Sequence, residues 1–478
     1  MQTNNVSEFE IENGILIRYH GTETHLSIPE GITAIKAWAF ANFLGLESIV
    51  IPESVKEIGE GAFWQCESLQ ELHLPPSLTK IGKAAFGRCY GLRNEKGFII
   101  VNGILFEYRG ALPHIEIPEG VIEIGDCVFS AQTTLEKITL PNSLKKIGKN
   151  AFFACSSLQK LNFPKGLQSI EESAFEYCSG IRELTLPEGL ESIGKRGFYG
   201  CTSLLNITIP KNVKNIGDEA FAGCKNLSDH KHFIILQGIL FEYGGSENIV
   251  SIPNGVTEIG AHAFSDNADL TEIIIPSDVK KIGKSAFSEC KELKRVILSE
   301  GLQIIDGTAF YKCPNLTDIA FPESLREIGE YAFLGCAKLK NLNIPKELQT
   351  IGVSAFGGCI GLQDENGFVI LHGTLFGYYG AKSKVILPNT VTKIGKDAFS
   401  WNTALRSIQL PKGLTEIGEY AFCYCAGLTE ITLPESLQTI GKYAFFGCSN
   451  LKNMQIPKSV THIGIGAFYE DEYKTSKQ

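Results

Sequence analysis

The sequence has no excess of positive charge, no long apolar run and no start typical of an exported protein. Its 44 Lys and Arg are outnumbered by 53 Asp and Glu, which gives a net charge of -9. That balance argues against a nucleic-acid partner, because neutralising phosphates requires a basic surface. No stretch approaches the roughly 20 apolar residues of a membrane-spanning helix, so we expect no transmembrane segment.

The first ten residues, MQTNNVSEFE, lack the basic and apolar segments of a secretory signal. We therefore expect either a cytoplasmic protein or one whose export signal is missing from this sequence. Apolar residues make up 44% of the 478 residues, which excludes a disordered chain and allows a large core. Length alone predicts about three globular domains.

Twelve of the 14 cysteines share one phase with a column of phenylalanines. Each of the twelve follows a Phe by three residues, and the column holds 17 Phe separated by thirteen gaps of 23 residues and three of 43. A fixed period of this length indicates a solenoid of stacked coils instead of three globular domains. The ladder of interior residues predicted from this phase includes Phe63, Cys66, Phe86, Cys89, Phe152, Cys155, Phe175 and Cys178.

The repeat unit can be written L-x-x-[IL]-x-[IL]-P-x-x-[VL]-x-x-I-G-x-x-A-F-x-x-C-x-x. The alternation in its first six positions predicts a short strand, which ends at a Pro that cannot donate a ladder hydrogen bond. The I-G-x-x-A-F segment carries the chain around the far side, where Gly supplies a bend and Phe fills the interior. A second short strand at V-x-x-I and a helical turn at A-F-x-x-C both fit this segment.

The three 43-residue gaps contain inserts that align with one another and with the N-terminal region. The four segments cover 8–32, 97–121, 232–256 and 367–391. Asn-Gly between apolar runs favours a β-hairpin with a type I′ turn. We predict one solenoid over 1–478 in four blocks that each begin with a hairpin, at 8–96, 97–231, 232–366 and 367–470. The predicted turn pairs are Asn13-Gly14, Asn102-Gly103, Gln237-Gly238 and His372-Gly373.

The unit I-P-x-x-V-x-x-I-G-x-x-A-F-x-x-C and the inserted G-x-L-x-x-Y-x-G-x-x-x-x-x-x-I-P resemble the repeats of BspA-like leucine-rich repeat proteins. The resemblance runs from about Glu8 to Tyr469. It implies a β-rich, right-handed, curved leucine-rich repeat solenoid. In such a fold a parallel sheet lines the concave side, short strands and turns form the convex side, and here four hairpin modules are inserted. It also implies adhesion or host-protein binding at a bacterial cell surface.

The cysteines allow four interpretations: a disulfide framework, a metal site, a nucleophile, or thiols buried at the turn of each coil. Strict phasing is typical of packing residues and not of a disulfide framework. Asn267 and Asn402 replace Cys at the same phase, which fits a side chain that hydrogen-bonds to nearby backbone. Cys127 and Cys423 are off phase, and no pair of cysteines has the spacing of zinc ligands. We predict a structural role for the phased thiols.

No catalytic, cofactor or metal motif stands apart from the repeat. His230-Lys231-His232 could supply half of a metal site, but a solvated loop at a hairpin entry is favoured because a metal needs three or four converging ligands. Gly283-Lys284-Ser285 lacks the preceding Gly and the strand–loop–helix context of a phosphate-binding loop. We expect no enzyme activity, no cofactor and no metal.

The outward positions of the concave sheet are where function is expected, since packing fixes the interior. Two outward columns run from Ser48 to Asn453 and from Val50 to Gln455, and most members are small or polar. One stretch differs, because apolar residues on adjacent strands are flanked by charges, as in a protein-binding patch. The alternative is that β-branched residues simply favour strands. The candidate partner-binding residues are Glu272, Ile274, Arg295, Ile297, Asp318 and Ala320.

A tyrosine recurs in each hairpin, and two interpretations are open. Exposed tyrosines anchor interfaces well, whereas regular recurrence favours residues that pack each hairpin onto its coil. The first hairpin would also cover the N-terminal edge of the solenoid. These tyrosines are Tyr19, Tyr108, Tyr243 and Tyr378.

The sequence thus predicts a monomeric scaffold for a protein or glycan ligand, displayed on the cell surface or secreted. An intracellular interaction scaffold or effector is the alternative, motivated by the missing signal and the many thiols. An enzyme is the third hypothesis and the least favoured, because no catalytic constellation is present.

Overall fold

The computed structural model describes residues 8–452 and 454–468, so the outward position Asn453 and the C-terminal residues 469–478 lie outside the described part. Residues 1–229 and 230–478 form two compact units. Each unit is a parallel β-solenoid in which successive coils add one strand to each of two ladders. The predicted fold class is confirmed.

The first ladder is built from the L-x-x-[IL]-x-[IL] segments. Its strands pair in parallel with a shift of one repeat, so that Lys137 faces Lys160 and Ile138 faces Leu161. The middle residue of each strand points inward and the flanking residues point outward, because side chains alternate across a strand. The strands are His25–Ser27, Ser48–Val50, Glu71–His73, His114–Glu116, Lys137–Thr139, Lys160–Asn162, Glu183–Thr185, Asn206–Thr208, Ile249–Ser251, Glu272–Ile275, Arg295–Leu298, Asp318–Ile319, Lys384–Ile386, Ser407–Gln409 and Glu430–Thr432.

The second ladder consists of two-residue strands that end at the Ile before the repeat Gly. The structure thus places a strand at V-x-x-I, and it forms turns, not an α-helix, at A-F-x-x-C. The strands are Ala34–Ile35, Glu57–Ile58, Lys80–Ile81, Glu123–Ile124, Lys146–Ile147, Ser169–Ile170, Ser192–Ile193, Asn215–Ile216, Glu258–Ile259, Lys281–Ile282, Ile304–Ile305, Glu327–Ile328, Thr350–Ile351, Lys393–Ile394, Glu416–Ile417, Thr439–Ile440 and His462–Ile463. Three short 3₁₀ helices follow the last Cys of a block, at Tyr90–Leu92, Lys225–Leu227 and Ile360–Leu362.

Each insert is an antiparallel hairpin whose second strand continues the second ladder. Both turn residues have positive φ in all four hairpins, for example 50° at Asn13 and 76° at Gly14, as a type I′ turn requires. The second strand of each hairpin then pairs in parallel with the next coil. The hairpins are Phe9–Glu12 with Ile15–Tyr19, Phe98–Val101 with Ile104–Tyr108, Phe233–Leu236 with Ile239–Tyr243, and Phe368–Leu371 with Thr374–Tyr378.

A hairpin inside a unit packs against the coils on both of its sides. In the last hairpin, Val369 and Phe376 join the hydrophobic cluster of the preceding block, whereas Phe368, Leu375 and Tyr378 join that of the following block. Opposite faces of one hairpin therefore bury apolar surface in two directions. A new stretch of the second ladder can therefore begin at the hairpin without exposing the apolar side chains of the adjacent coils to water.

The predicted first-ladder strand is missing from the repeat between strands Glu327–Ile328 and Thr350–Ile351. In the unit that begins at Leu339, no strand is assigned, and Asn341 has a positive φ of 54°. Asn is a poor strand former and tolerates the left-handed conformation better than most residues. The two Asn at the outward positions, Asn341 and Asn343, account for this interruption.

Candidate functional site

The first ladder of the 230–478 unit presents the predicted partner-binding residues on one surface. In strand Glu272–Ile275, Ile273 and Ile275 are buried while Glu272 and Ile274 face outward and are half-buried. Arg295 is exposed on the next strand, where Val296 is buried and Ile297 is half-buried. The local sequence therefore aims every second side chain away from the core.

Ile274 and Ile297 are direct partners on neighbouring strands. We call them, together with Ala320, the isoleucine stripe. Ala320 is exposed but lies one residue beyond the strand Asp318–Ile319, so it borders the sheet and is not part of it. The structure brings the two isoleucines together and leaves both partly open to solvent, which gives a small apolar surface on an otherwise polar sheet.

A row of charges runs beside the isoleucine stripe. Arg295 Nε lies 3.1 Å from Asp318 Oδ2, and its Nη1 lies 3.9 Å from Glu272 Oε2. The strand register places these three residues opposite one another. Because exposed ion pairs contribute little to stability, their main effect is to hold the guanidinium between two carboxylates at the edge of the stripe.

A further exposed isoleucine, Ile249, stands at the end of the row of charges. It is 61% exposed and pairs with Glu272, on the strand that follows the third hairpin. The outward columns predicted from the 23-residue units do not contain Ile249, because it lies in the insert at 232–256. Extending the columns through the hairpin coils would have found it, together with Ile386, which is also exposed.

The predicted interior ladder is fully buried. Phe63, Phe86, Phe152 and Phe175 have no exposed surface, and consecutive rings stack with centroids 5.1 Å apart for Phe63–Phe86 and 5.0 Å for Phe152–Phe175. The twelve phased thiols are also buried, and all 14 cysteines are free. Burial raises the pKa of several of these thiols, and at Cys290, Cys425 and Cys448 it reaches about 12. Such thiols stay protonated and are poor nucleophiles.

The Asn residues that replace Cys use their side chains on nearby backbone. Asn267 Oδ1 accepts hydrogen bonds from the N–H of Leu270, at 2.9 Å, and of Asp269, at 3.1 Å. Asn402 Oδ1 accepts one from the N–H of Leu405, at 3.1 Å. Both Asn residues lie in the first coil after a hairpin, where the side-chain amide accepts hydrogen bonds from backbone N–H groups.

The hairpin tyrosines are packing residues and do not form an exposed anchor. All four are buried, and the ring of Tyr108 packs on Phe129 with centroids 5.5 Å apart, which starts the aromatic stack of that block. Burial raises the pKa of Tyr19 and Tyr243 to about 12. The Tyr19 hydroxyl donates a hydrogen bond to Glu8 Oε2, at 3.1 Å.

A cleft of about 720 Å³ lies beside the second hairpin in the 1–229 unit. Lys83 Nζ is 2.9 Å from Asp126 Oδ2, and the N–H of Arg88 donates to Glu107 Oε2 at 2.7 Å. Cys127, the exposed off-phase cysteine, also lines the cleft. These contacts pair cations with carboxylates within the cleft, so its walls carry a mixture of both signs.

Within residues 8–452 and 454–468, no three His, Cys, Asp or Glu side chains converge in a way that could hold a metal ion. His230 and Lys231 lie in a turn at the entry to the third hairpin. None of the helices in the same ranges has the length and hydropathy needed to cross a bilayer.

Comparisons with known proteins agree with this architecture. The model of the family described as BspA type leucine-rich repeat region (6 copies) matches residues 19–96, 100–228, 237–363 and 372–477. No curated protein matches the chain.

Solved structures of leucine-rich repeat proteins are similar over most of the chain. One from Bacteroides ovatus is 24% identical over 96% of this chain and 97% of its own, with a TM-score of 0.30. Another from Eubacterium ventriosum is 22% identical over 75% and 90%, with a TM-score of 0.38. A leucine-rich cell surface protein from Faecalibacterium prausnitzii is 23% identical over 93% and 92%, with a TM-score of 0.27.

Proposed function

Because the chain belongs to the BspA type leucine-rich repeat family, we propose that it is a non-enzymatic, monomeric scaffold that binds a partner protein on its first ladder. Solenoids of this kind present an extended sheet whose outward residues are free to vary while the interior is fixed by packing. Binding specificity would then come from the outward columns. The partner would be a protein present at the site where the scaffold is displayed, such as an extracellular-matrix protein.

The observation that carries this proposal is the isoleucine stripe with its row of charges. Ile274 and Ile297 face one another across neighbouring strands, whereas Ile249 stands in the row of charges beside Glu272, and Ser251 is the residue paired with Ile274. An apolar centre with a charged rim is the usual composition of a protein interface.

Arg295 would give the surface its specificity. Its guanidinium lies between Asp318 and Glu272, at 3.1 and 3.9 Å. A partner carboxylate could replace either of these contacts, since Arg offers five donors in a fixed fork. Charges at the rim of an interface mainly affect the rate of association and the choice of partner.

Binding of the intact chain to a panel of immobilised extracellular-matrix proteins tests the proposal. We expect at least one of them to bind, and the double variant Ile274→Lys/Ile297→Lys to lose about tenfold or more in affinity, because two buried interface contacts are replaced by charges. The matched control is Thr185→Lys/Thr208→Lys, which changes an equivalent outward pair in the other unit. The control should bind as the unchanged protein does.

Two outcomes would contradict the proposal. The first is that the intact chain binds none of the panel, and the second is that the isoleucine double variant, shown to be folded by circular dichroism, binds as well as the control. A loss of the same size in both double variants would also count against the stripe, because it would show a general effect of added positive charge.

We further propose display outside a bacterial cell, in adhesion or host interaction, with family membership as the support. The alternative is an intracellular interaction scaffold, which the 14 free thiols favour. Antibody labelling of intact and permeabilised cells of the source organism separates the two. Labelling of intact cells supports surface display, whereas labelling only after permeabilisation supports the alternative.

A further inference from the structure

All three tryptophans of the chain lie in the turn that surrounds the ladder Phe. Trp38 precedes Phe40 by two residues, Trp64 follows Phe63 by one, and Trp401 follows Phe399 by two. This turn faces away from the interior, and Trp401 is 68% exposed. Trp38 is 46% exposed, whereas Trp64 is half-buried, so Trp401 is the most exposed of the three indoles.

Aromatic rings in this turn lie flat against a glycine of the next coil. A Cβ atom added at Gly447 would stand 2.6 Å from a ring carbon of Tyr424, and one added at Gly200 would stand 2.7 Å from a ring carbon of Tyr177. Both glycines lie 23 residues after the tyrosine that covers them. The missing side chain lets the ring approach the backbone closely.

Trp401 stacks on top of such a tyrosine. Its ring centroid lies 4.2 Å from that of Tyr424, with an interplanar angle of 22°. Tyr424 is itself 38% exposed. Since one face of the indole is occupied by Tyr424, the exposed surface of Trp401 consists of its other face and its edges. We call this stack, formed by Trp401 on Tyr424 and by Tyr424 on Gly447, the Trp401 platform.

The backbone is left-handed at both aromatic residues of the platform. Trp401 and Tyr424 have φ of 63° and 55°, in the left-handed region. The same position has a positive φ in the other coils too, where it holds either Gly or a residue with a side chain such as Gln65, Glu289 or Lys312. A left-handed residue with a side chain costs about 1–2 kcal/mol, whereas Gly adopts positive φ freely. The equivalent glycines are Gly200, Gly223, Gly335, Gly358 and Gly447.

The platform has an aromatic neighbour and polar neighbours: Phe446 packs edge-on against Tyr424, with ring centroids 5.5 Å apart, and polar residues follow Trp401 in the chain. Asn402, Thr403 and Arg406 follow Trp401 in the chain, and Thr403 and Arg406 are exposed. Arg406 Nη1 donates to the carbonyl of Thr403, at 2.8 Å. An open indole face beside residues that carry hydroxyl, amide and guanidinium groups matches a sugar ring, because a pyranose has an apolar C–H face and hydroxyl groups around its edge.

We propose that the Trp401 platform is a carbohydrate-binding site on which a pyranose ring stacks against the open face of the Trp401 indole. The site is separate from the isoleucine stripe, since it lies on the turn around the ladder Phe and not on the first ladder. The two proposals can therefore be tested independently of each other. The double variant Ile274→Lys/Ile297→Lys should bind glycans as the unchanged protein does.

The experiment measures binding of the full chain to a printed array of glycans that end in hexoses, N-acetylhexosamines, deoxyhexoses and sialic acids. The key variant is Trp401→Gly, which removes the ring at a position where Gly relieves the backbone. We expect this variant to be at least as stable as the unchanged protein and to lose about tenfold or more of its glycan binding. Trp401→Phe should keep part of the binding, and Trp38→Ala should leave it unchanged.

Three results would overturn the proposal. The full chain could bind no glycan on the array, or the folded Trp401→Gly variant could bind as well as the unchanged protein. Alternatively, Trp38→Ala could reduce binding as strongly as Trp401→Gly, which would show non-specific adhesion to exposed tryptophan. Loss of a protein ligand in Trp401→Gly, with no glycan bound by either form, would assign the platform to a protein partner.

Discussion

The thiol of Cys66 donates a hydrogen bond of 3.2 Å to the carbonyl oxygen of Phe40, which belongs to the preceding coil. The same contact recurs at all twelve phased cysteines, with distances of 3.0–3.3 Å. It explains why Cys and Phe share a phase. A thiol is small enough for a crowded turn and still supplies a donor to a buried carbonyl.

This contact predicts a cost for removing the thiol. Cys178 donates to the carbonyl of Phe152 at 3.0 Å and is fully buried. We expect Cys178→Ala to lower the free energy of unfolding by about 1–2 kcal/mol, through a lost hydrogen bond and a small cavity. Cys127→Ala is the control and should change little, because its side chain is exposed. Equal denaturation midpoints for the two variants would contradict the assignment.

Thiol reactivity offers a second prediction. Cys127 is exposed, whereas the other thirteen cysteines are buried. We expect one thiol to react with Ellman's reagent in the native protein and 14 after denaturation. Partial desolvation of the thiol raises the pKa of Cys127, and the nearby charge of Asp126 raises it further. The reaction of the native protein should therefore be slow at neutral pH and accelerate as pH rises. Cys127→Ser should abolish it, and a fast reaction of several thiols would refute the burial.

The hairpin turns allow a stabilising substitution. His372 has a φ of 49°, the conformation that Asn102 adopts in the equivalent turn. Asn tolerates this conformation better than His. We expect His372→Asn to raise the free energy of unfolding by about 0.5–1 kcal/mol, measured by chemical denaturation. The reverse change, Asn102→His, should lower it by a similar amount. Changes of the same sign in both variants would argue against this explanation.

Stability should fall at alkaline pH. Burial raises the pKa of Tyr19 and Tyr243 from 10.0 to about 12 in the folded state. A raised folded pKa contributes stability that is fully present below the unfolded pKa and is lost as pH rises through the folded value. The free energy of unfolding should therefore decline between pH 10 and 12. The variant Tyr19→Phe/Tyr243→Phe should show a shallower decline over this window, with the buried thiols causing what remains. An unchanged slope would show that neither phenol is protected.

Several elements followed from the sequence because they are local and repeated. The Phe and Cys phases predict the interior ladder, and the Asn-Gly pairs predict the hairpin turns even where Gln237 or His372 replaces Asn. The missing strand at Asn341 could not be predicted from the unit, because the outward residues decide whether a short strand forms. The outward position of Ile249 could not be predicted from the 23-residue unit, because Ile249 lies in an insert.

The candidate sites depend on neighbours that the sequence places far apart. The outward positions of Ile274 and Ile297 follow from alternation, but the contacts of Arg295 with both carboxylates required side-chain positions. Nothing in the repeat pattern sets Trp401 apart from the other residues that follow a ladder Phe. Its importance appears only when the ring is seen stacked on Tyr424, and Tyr424 on Gly447.

The sequence by itself determined the solenoid, its period, the buried Phe and Cys columns and the hairpins, because each of these depends on a residue type recurring at a fixed spacing. The tertiary structure alone decided which thiol is exposed, which carbonyl each thiol contacts, and which aromatic face is open. Those properties depend on residues about one coil away, and in a solenoid the neighbouring coil supplies half of every side chain's surroundings.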